Sequence, residues 1–197
     1  MTEAPVGRRE RKKAATRQSI AEAALQLFLE RGYDQVSVRQ VADAADVSTT
    51  TLFKHFAGKE ALVFDREPGR ESELVAAVRT RSAGESVLDA LQRHVITAYL
   101  EVSTHPQAAE FAALVEETPV LREYSERMWT RHAQSLGAAV AEEIGAAADD
   151  LACMALARYV LDIPVLVRRQ DDARTAIETV FDLLGRGWSS VEASRRA

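Results

Sequence analysis

Apolar residues recur along this chain every three to four positions, the spacing of helices packed along one face. Ile20, Ala23, Ala24, Leu27 and Phe28 mark one face of a first helix, which Gly32 is expected to end as a left-handed residue. Ser37 caps a second, short helix running to about Ala45, and Gln40 three positions on completes a capping box. Ser48 caps a third over about Thr49–His55. A fourth starts near Lys59 and is expected to break at Glu67-Pro68-Gly69, because Pro68 lacks a donor and restricts its neighbour.

Further along, Ser86 to Ser103 reads as a helix with Leu88, Leu91, Val95 and Tyr99 inward. Pro106 and Pro119 fall where proline suits the first turn of a helix. Thr118 is the expected cap of a long helix to about Ile144, with Leu121, Tyr124, Met128 and Leu136 on one stripe. Gly145 to Asp149 is a break. Leu151 to Arg169 is apolar almost all round, and the last helix carries a stripe at Ile177, Val180, Phe181, Leu184 and Trp188. The tail from Ser189 is expected to be loose. No segment has a competing strand period, so the predicted fold class is all-α.

Residues 36–62 put two short helices and a tight turn together, leaving one helix free to project. That shape can place a helix in the major groove of DNA. Val38, Val41 and Ala42 face inward on the second helix, and Ala42 leaves room for a close crossing. Asp46 occupies a turn position that favours a left-handed backbone. Val47 fills the space between the helices, and Leu52 and Phe56 anchor the third helix. Thr49, Thr50, Phe53 and Lys54 then point outward, beside Ser48 and Thr51. Threonine hydroxyls and methyls suit base edges, while Lys54 and His55 suit phosphates. Ser37 and Arg39 sit at one helix N-terminus and Lys59 at another, where backbone N–H groups favour anions.

Charge changes the picture through its distribution. The chain has 197 residues, 47% of them hydrophobic, and a net charge of −5. Residues 1–59 hold about 10 Lys/Arg against about 7 Asp/Glu, so a basic head precedes an acidic body. Affinity for phosphate follows the local surface rather than the sum. Arg8, Arg9, Arg11, Lys12 and Lys13, with Arg17, form an arm suited to the DNA backbone or a minor groove.

The basic, polar start does not read as a secretory signal, and no apolar run approaches the ~18 residues that span a bilayer, so a cytoplasmic location with no membrane partner is expected. Cys153 is the only cysteine, which excludes an intrachain disulfide. His55, His94, His105 and His132 are scattered without metal-ligand spacing, and neither a phosphate-binding glycine loop nor a nucleophile elbow is present. These features imply no enzyme, no cofactor and no metal.

With these residues in view, residues 12–62 resemble the DNA-binding domain of the TetR family of bacterial transcriptional regulators. The resemblance rests on Ile20-Ala21-Glu22-Ala23-Ala24-Leu25-Gln26-Leu27-Phe28, Arg31-Gly32-Tyr33, Val41-Ala42-Asp43-Ala44-Ala45-Asp46-Val47-Ser48, Leu52-Phe53-Lys54-His55-Phe56 and Lys59-Glu60-Ala61-Leu62. The sequence departs from the family at Asp46, usually Gly, and at Phe53, usually Tyr, which removes a hydroxyl that often bonds a phosphate. The resemblance implies an all-α homodimer of about nine helices per subunit. A basic arm and helix-turn-helix domain would occupy residues 1–62, and an effector-binding and dimerisation domain residues 63–197. Double-stranded DNA with a palindromic operator and a small apolar or amphipathic effector are the implied partners. Glu116-Glu117-Thr118-Pro119 followed by Arg122-Glu123-Tyr124 is similar to a subset of the family with acyl-CoA-like ligands.

For the second half, candidates for lining an effector pocket are Tyr99, Phe111, Leu114, Met128, Trp129, His132 and Tyr159. A helix that is apolar all round must be covered on two sides. One side can be the subunit's own core and the other a partner: Leu156, Tyr159, Val160, Ile163 and Val167, with Ile177, Val180, Phe181, Leu184 and Trp188, would build a four-helix dimer seam, the arrangement the family resemblance implies. A monomer core hiding the same residues is the alternative. The leading functional reading is a repressor released from DNA by a small molecule. A DNA-binding regulator controlled by a protein partner or by abundance, and an enzyme or carrier built from the helical second half, are the competitors.

Overall fold

Serine and aspartate side chains open the helices where the sequence places them. In the computed structural model, which describes residues 7–65 and 67–196, Ser37, Ser48, Ser86 and Asp150 each accept a hydrogen bond from a backbone N–H of the helix that follows. Among the described residues the chain forms ten helices and no strand. They are α1 (Arg8–Arg31), α2 (Val38–Ala44), α3 (Thr49–His55), α4 (Lys59–Val63), α5 (Glu67–Arg79), α6 (Val87–Ser103), α7 (Ala108–Glu117), α8 (Pro119–Ile144), α9 (Leu151–Val167) and α10 (Ala173–Arg196).

Four boundaries differ from expectation. The fourth helix stops at Val63, and Glu67 opens a new helix instead of closing an old one. Pro68 therefore falls in a first turn, where its missing donor costs nothing. That extra helix makes ten rather than about nine. Pro106 lies in the turn before α7, outside the helix. The chain from Ser189 stays helical to Arg196 instead of loosening. Gly32 takes φ 83° with ψ 149°, a glycine-favoured extended conformation rather than the left-handed helical one.

The chain divides into two compact units that are not consecutive stretches of sequence. One takes the chain as far as residue 66 together with Ala109–Tyr124; the other takes Glu67–Ala108 together with Ser125 onward. In the first, α1 packs on α2, α3 and α4 around Ile20, Phe28, Val41, Leu52, Phe56 and Leu62. Leu121, from the start of α8, is fully buried in this same core. Phe111, Leu114 and Val115 of α7 pack against it. Phe64 meets the Phe111 ring edge-on at 6.2 Å and stacks on Tyr124 at 5.2 Å.

In the second unit, α5, α6, α9, α10 and most of α8 enclose Val78, Leu91, Leu136, Val140, Val160, Ile163, Ile177 and Phe181. Gly137 lets α8 and α9 approach closely, since a Cβ there would sit 3.2 Å from Met154 Cα. Arg79 pairs with Glu142 at 2.7 Å, and Arg81 pairs with Glu143. No described helix is long and apolar enough to cross a membrane.

Candidate nucleic-acid interface

The geometry of α2 and α3 follows from their caps and the turn between them. Ser37 Oγ accepts from Gln40 N at 3.2 Å, and Gln40 Oε1 accepts from Ser37 N at 2.7 Å, so the capping box is closed. Ala45 N donates to Val41 O at 3.0 Å and Val47 N to Ala42 O at 3.0 Å, which winds the end of α2 into the turn. Asp46 takes φ 53°, the left-handed value the turn demands. Val41, Ala42, Leu52 and Phe56 are buried, which fixes the inner faces of both helices. Thr49, Thr50, Phe53 and Lys54 are left exposed on α3.

The remaining nominated DNA contacts divide by what they already touch. Thr51 is turned back onto its own helix: its N–H donates to Ser48 Oγ at 3.1 Å, and the two hydroxyls share a bond of 2.9 Å. The hydroxyls of Ser37, Ser48 and Thr51 are thus engaged in capping. Arg39 is exposed in the first turn of α2.

Arg17 is tied into the first unit. Its Nε pairs with Asp65 Oδ1 at 2.7 Å, its Nη atoms donate to the carbonyls of His55 and Asp65, and its guanidinium lies 4.3 Å from the Phe56 ring centre. Lys59 is similarly held: Nζ donates to Tyr33 O at 2.5 Å and sits 3.9 Å from the centre of the Tyr33 ring. Burial lowers the Lys59 pKa, an effect that Asp34 and Glu60 partly offset. Burial, then the Glu60 carboxylate, pushes the Tyr33 phenol up. His55 is lowered by burial and by the positive charges of Arg17 and Lys13, and its Nδ1 is enclosed without a hydrogen-bond partner. A bare count of cations could not separate these packed groups from free ones. The basic arm, by contrast, is helical and exposed from Arg8 to Lys13; residues 1–6 lie outside the described residues.

The effector candidates do not gather in one place. Phe111 and Leu114 pack against the first unit's core, and Tyr159 is 58% exposed. Tyr99, Met128, Trp129 and His132 belong to the second unit. There His132 is buried, with Nε2 3.9 Å from Glu71 Oε2 and its ring edge-on to Trp129. Ser135 Oγ donates to the same carboxylate at 2.5 Å. Two grooves run along α6 and α10, sharing Asp89 and Gln92, and none of the seven candidates lines either. The Glu116–Tyr124 segment likewise serves packing: Thr118 and Leu121 are buried and Tyr124 stacks on Phe64.

The expected dimer seam needs correction. Leu156, Val160, Ile163, Val167, Ile177, Phe181 and Trp188 are buried within their own chain, and Val180 and Leu184 are packed against the same core. The seven buried ones form the subunit's own core, while Val180 and Leu184 stay half-buried at its edge. The apolar residues that α9 leaves exposed are Leu151, Tyr159, Val165 and Leu166, joined on α10 by Leu183. Of those on α9, the sequence reading named Tyr159 but missed Leu151, Val165 and Leu166, because a helix with apolar residues all round has no polar side to set its phase.

A buried three-helix core with one exposed, capped helix projecting from it defines a helix-turn-helix module, here joined to a helical body. The profile of bacterial regulatory proteins of the tetR family matches residues 20–65. Residues 20–65 therefore carry the DNA-binding segment of the TetR family, and the chain as a whole shares the fold of such regulators. The transcriptional regulator TcmR of Streptomyces glaucescens is 39% identical over 85 residues, which is 43% of this chain but only 38% of that relative's length. The repressor AcnR of Corynebacterium diphtheriae is 27% identical over 173 residues, 84% of this chain and 77% of AcnR. Among solved structures, a TetR-family regulator from Streptomyces coelicolor superposes with a TM-score of 0.62 at 22% identity, covering 92% of this chain and 95% of that one.

Proposed function

We propose that this protein is a transcriptional repressor that binds a palindromic operator as a homodimer through α3 and is released by a small-molecule effector. It performs no catalysis in this reading and works in the cytoplasm. The observation that carries the DNA-binding part is the exposed face of α3, where Thr49, Thr50, Phe53 and Lys54 stand clear of a helix anchored by fully buried Leu52. Thr49, Thr50 and Phe53 read bases. Lys54, Arg39 and the exposed cations from Arg8 to Lys13 hold phosphates and set register. Arg17 and Lys59 leave the list of contacts proposed from the sequence, because their donors serve the fold.

Two copies pair in this reading through the exposed apolar face of α9 and α10, where Leu151, Tyr159, Leu166 and Leu183 otherwise meet water. Two recognition helices about 34–36 Å apart then address successive major grooves. The effector is a small apolar or amphipathic molecule, and the cluster of buried His132 with half-buried Glu71 and Ser135 offers polar groups to fix its orientation. Moving the DNA-competent population from 99:1 to 1:99 takes about 5.5 kcal/mol of differential binding. Selection of bound duplexes from a random pool tests the proposal. Enrichment of an inverted repeat is the expected result; no preference over bulk competitor at moderate salt rejects it. A metabolite screen by thermal shift then separates small-molecule control from control by a protein partner, since only the former yields a compound that raises the melting temperature and releases DNA.

A further inference from the structure

The exposed face of α3 is unusual in what it lacks. The helix reads Thr-Thr-Thr-Leu-Phe-Lys-His, with no arginine, asparagine, glutamine or carboxylate. Bidentate recognition of guanine uses Arg or Lys, and of adenine Asn or Gln, while cytosine is read by a carboxylate. Lys54 is therefore the one exposed side chain of α3 with strong donors, and a flexible ammonium specifies less than a planar fork. The Oε1 of Gln40 in α2 is taken by the capping box, which leaves it no bidentate pair for adenine, and the Thr51 hydroxyl is taken by Ser48. Phe53, on the other hand, exposes 56% of its surface to water. It lies four residues from Thr49 and three from Thr50, so all three share one side of the helix. A phenyl ring flanked by two threonine methyls makes a small apolar patch, with the cation of Lys54 beside it.

The occupant follows from this chemistry. In the major groove the thymine C5 methyl is the apolar feature on the base edges. A ring held out on a helix that enters the groove finds its complement there, and the neighbouring cation suits the flanking phosphate. We propose that Phe53 is a specificity-determining residue that reads thymine through its C5 methyl, with Thr49 and Thr50 completing the apolar contact. This rests on the reading of α3 as the recognition helix. It commits each half-site to at least one thymine recognised by its methyl rather than by hydrogen bonds.

The test uses the whole protein and its selected operator. Each thymidine of one half-site is replaced singly by deoxyuridine, which removes the methyl and leaves base pairing intact. Burying one such carbon is worth a factor of about four in affinity. At one position or more, the wild-type protein is expected to bind the uracil duplex about fourfold more weakly. Phe53→Ala is expected to lose affinity for the thymine duplex and to be indifferent to uracil at that position. Its melting temperature should match the wild type, because the ring is outside the core. If every uracil duplex binds as tightly as its parent, or if Phe53→Ala keeps the full methyl sensitivity, the assignment is overturned while the DNA-binding reading stands. A protein that enriches no duplex at all overturns both.

Discussion

Lys59 donates to the Tyr33 carbonyl at 2.5 Å while lying against the face of the Tyr33 ring, so the cation locks α4 to the loop after α1. A lysine at the start of a helix in a DNA-binding domain invites assignment to phosphate. Its partners here place it in the fold. Lys59→Met should cost about 1–2 kcal/mol of stability through the lost hydrogen bond and cation–π contact. It should leave the salt dependence of DNA binding nearly unchanged. Lys54→Ala, at an exposed position of α3, should do the reverse and lower the salt slope by about one unit at unchanged melting temperature. Chemical denaturation and salt-titrated binding measure the two effects separately.

Asp46 holds φ 53° in the turn between α2 and α3, the only described residue other than glycine with a positive φ. Glycine adopts that backbone without the Cβ penalty. Asp46→Gly should raise stability by about 0.5–1 kcal/mol, the steric relief exceeding the added freedom of the unfolded chain. A drop in the denaturation midpoint would show that the aspartate side chain contributes more to the turn than its backbone strain costs.

The exposed and buried faces of α9 and α10 make opposite predictions. Leu166 and Leu183 are 63% and 68% exposed, whereas Val160 is fully buried. Leu166→Glu combined with Leu183→Glu should leave the helical signal intact, yield a monomer by sedimentation, and weaken operator binding about a hundredfold or more as bivalency is lost. Val160→Glu should unfold the second unit, because it buries an unpaired charge. A double variant that remained dimeric would move the interface elsewhere.

Acid should act on the fold through His55 and His94. Burial, the largest cause for both, lowers their folded-state pKa below the ordinary 6.5. The unfolded chain therefore binds protons that the folded chain does not, and stability rises with pH across the window between each depressed value and 6.5. The corresponding stability is complete above 6.5 and declines as pH falls through that window. His55→Gln and His94→Gln should each flatten the loss of stability on acidification, read from denaturation midpoints at a series of pH values. A slope unaltered in both variants would place the acid response on other groups.

Much of the DNA-binding unit was legible because its signals are local. Ser37 with Gln40, Ser48, and the Asp46 turn each act within a few residues, and the caps form as the sequence requires. The Leu52–Phe56 spacing fixed which side of α3 is buried, and hence which residues project. Legibility failed where partners are distant in sequence. Arg17 meets the His55 carbonyl and Asp65, and Lys59 meets Tyr33, so nothing near either cation marks it as occupied. Leu121 looked like one more position on a long helical stripe, yet it completes a core begun by Ile20.

The sequence by itself determined the all-α class, the capped helices, the turn and the identity of the projecting side chains, since helix period and end-capping are set by neighbours within four residues. Only the tertiary structure decided which cations are free and where Ala109–Tyr124 packs. It also decided which face of α9 belongs to the subunit's own core. The physical reason is the same in each case. Burial of a charge or an apolar face depends on what is brought against it from far along the chain, and a helix apolar on every side carries no local mark of the direction from which that partner comes.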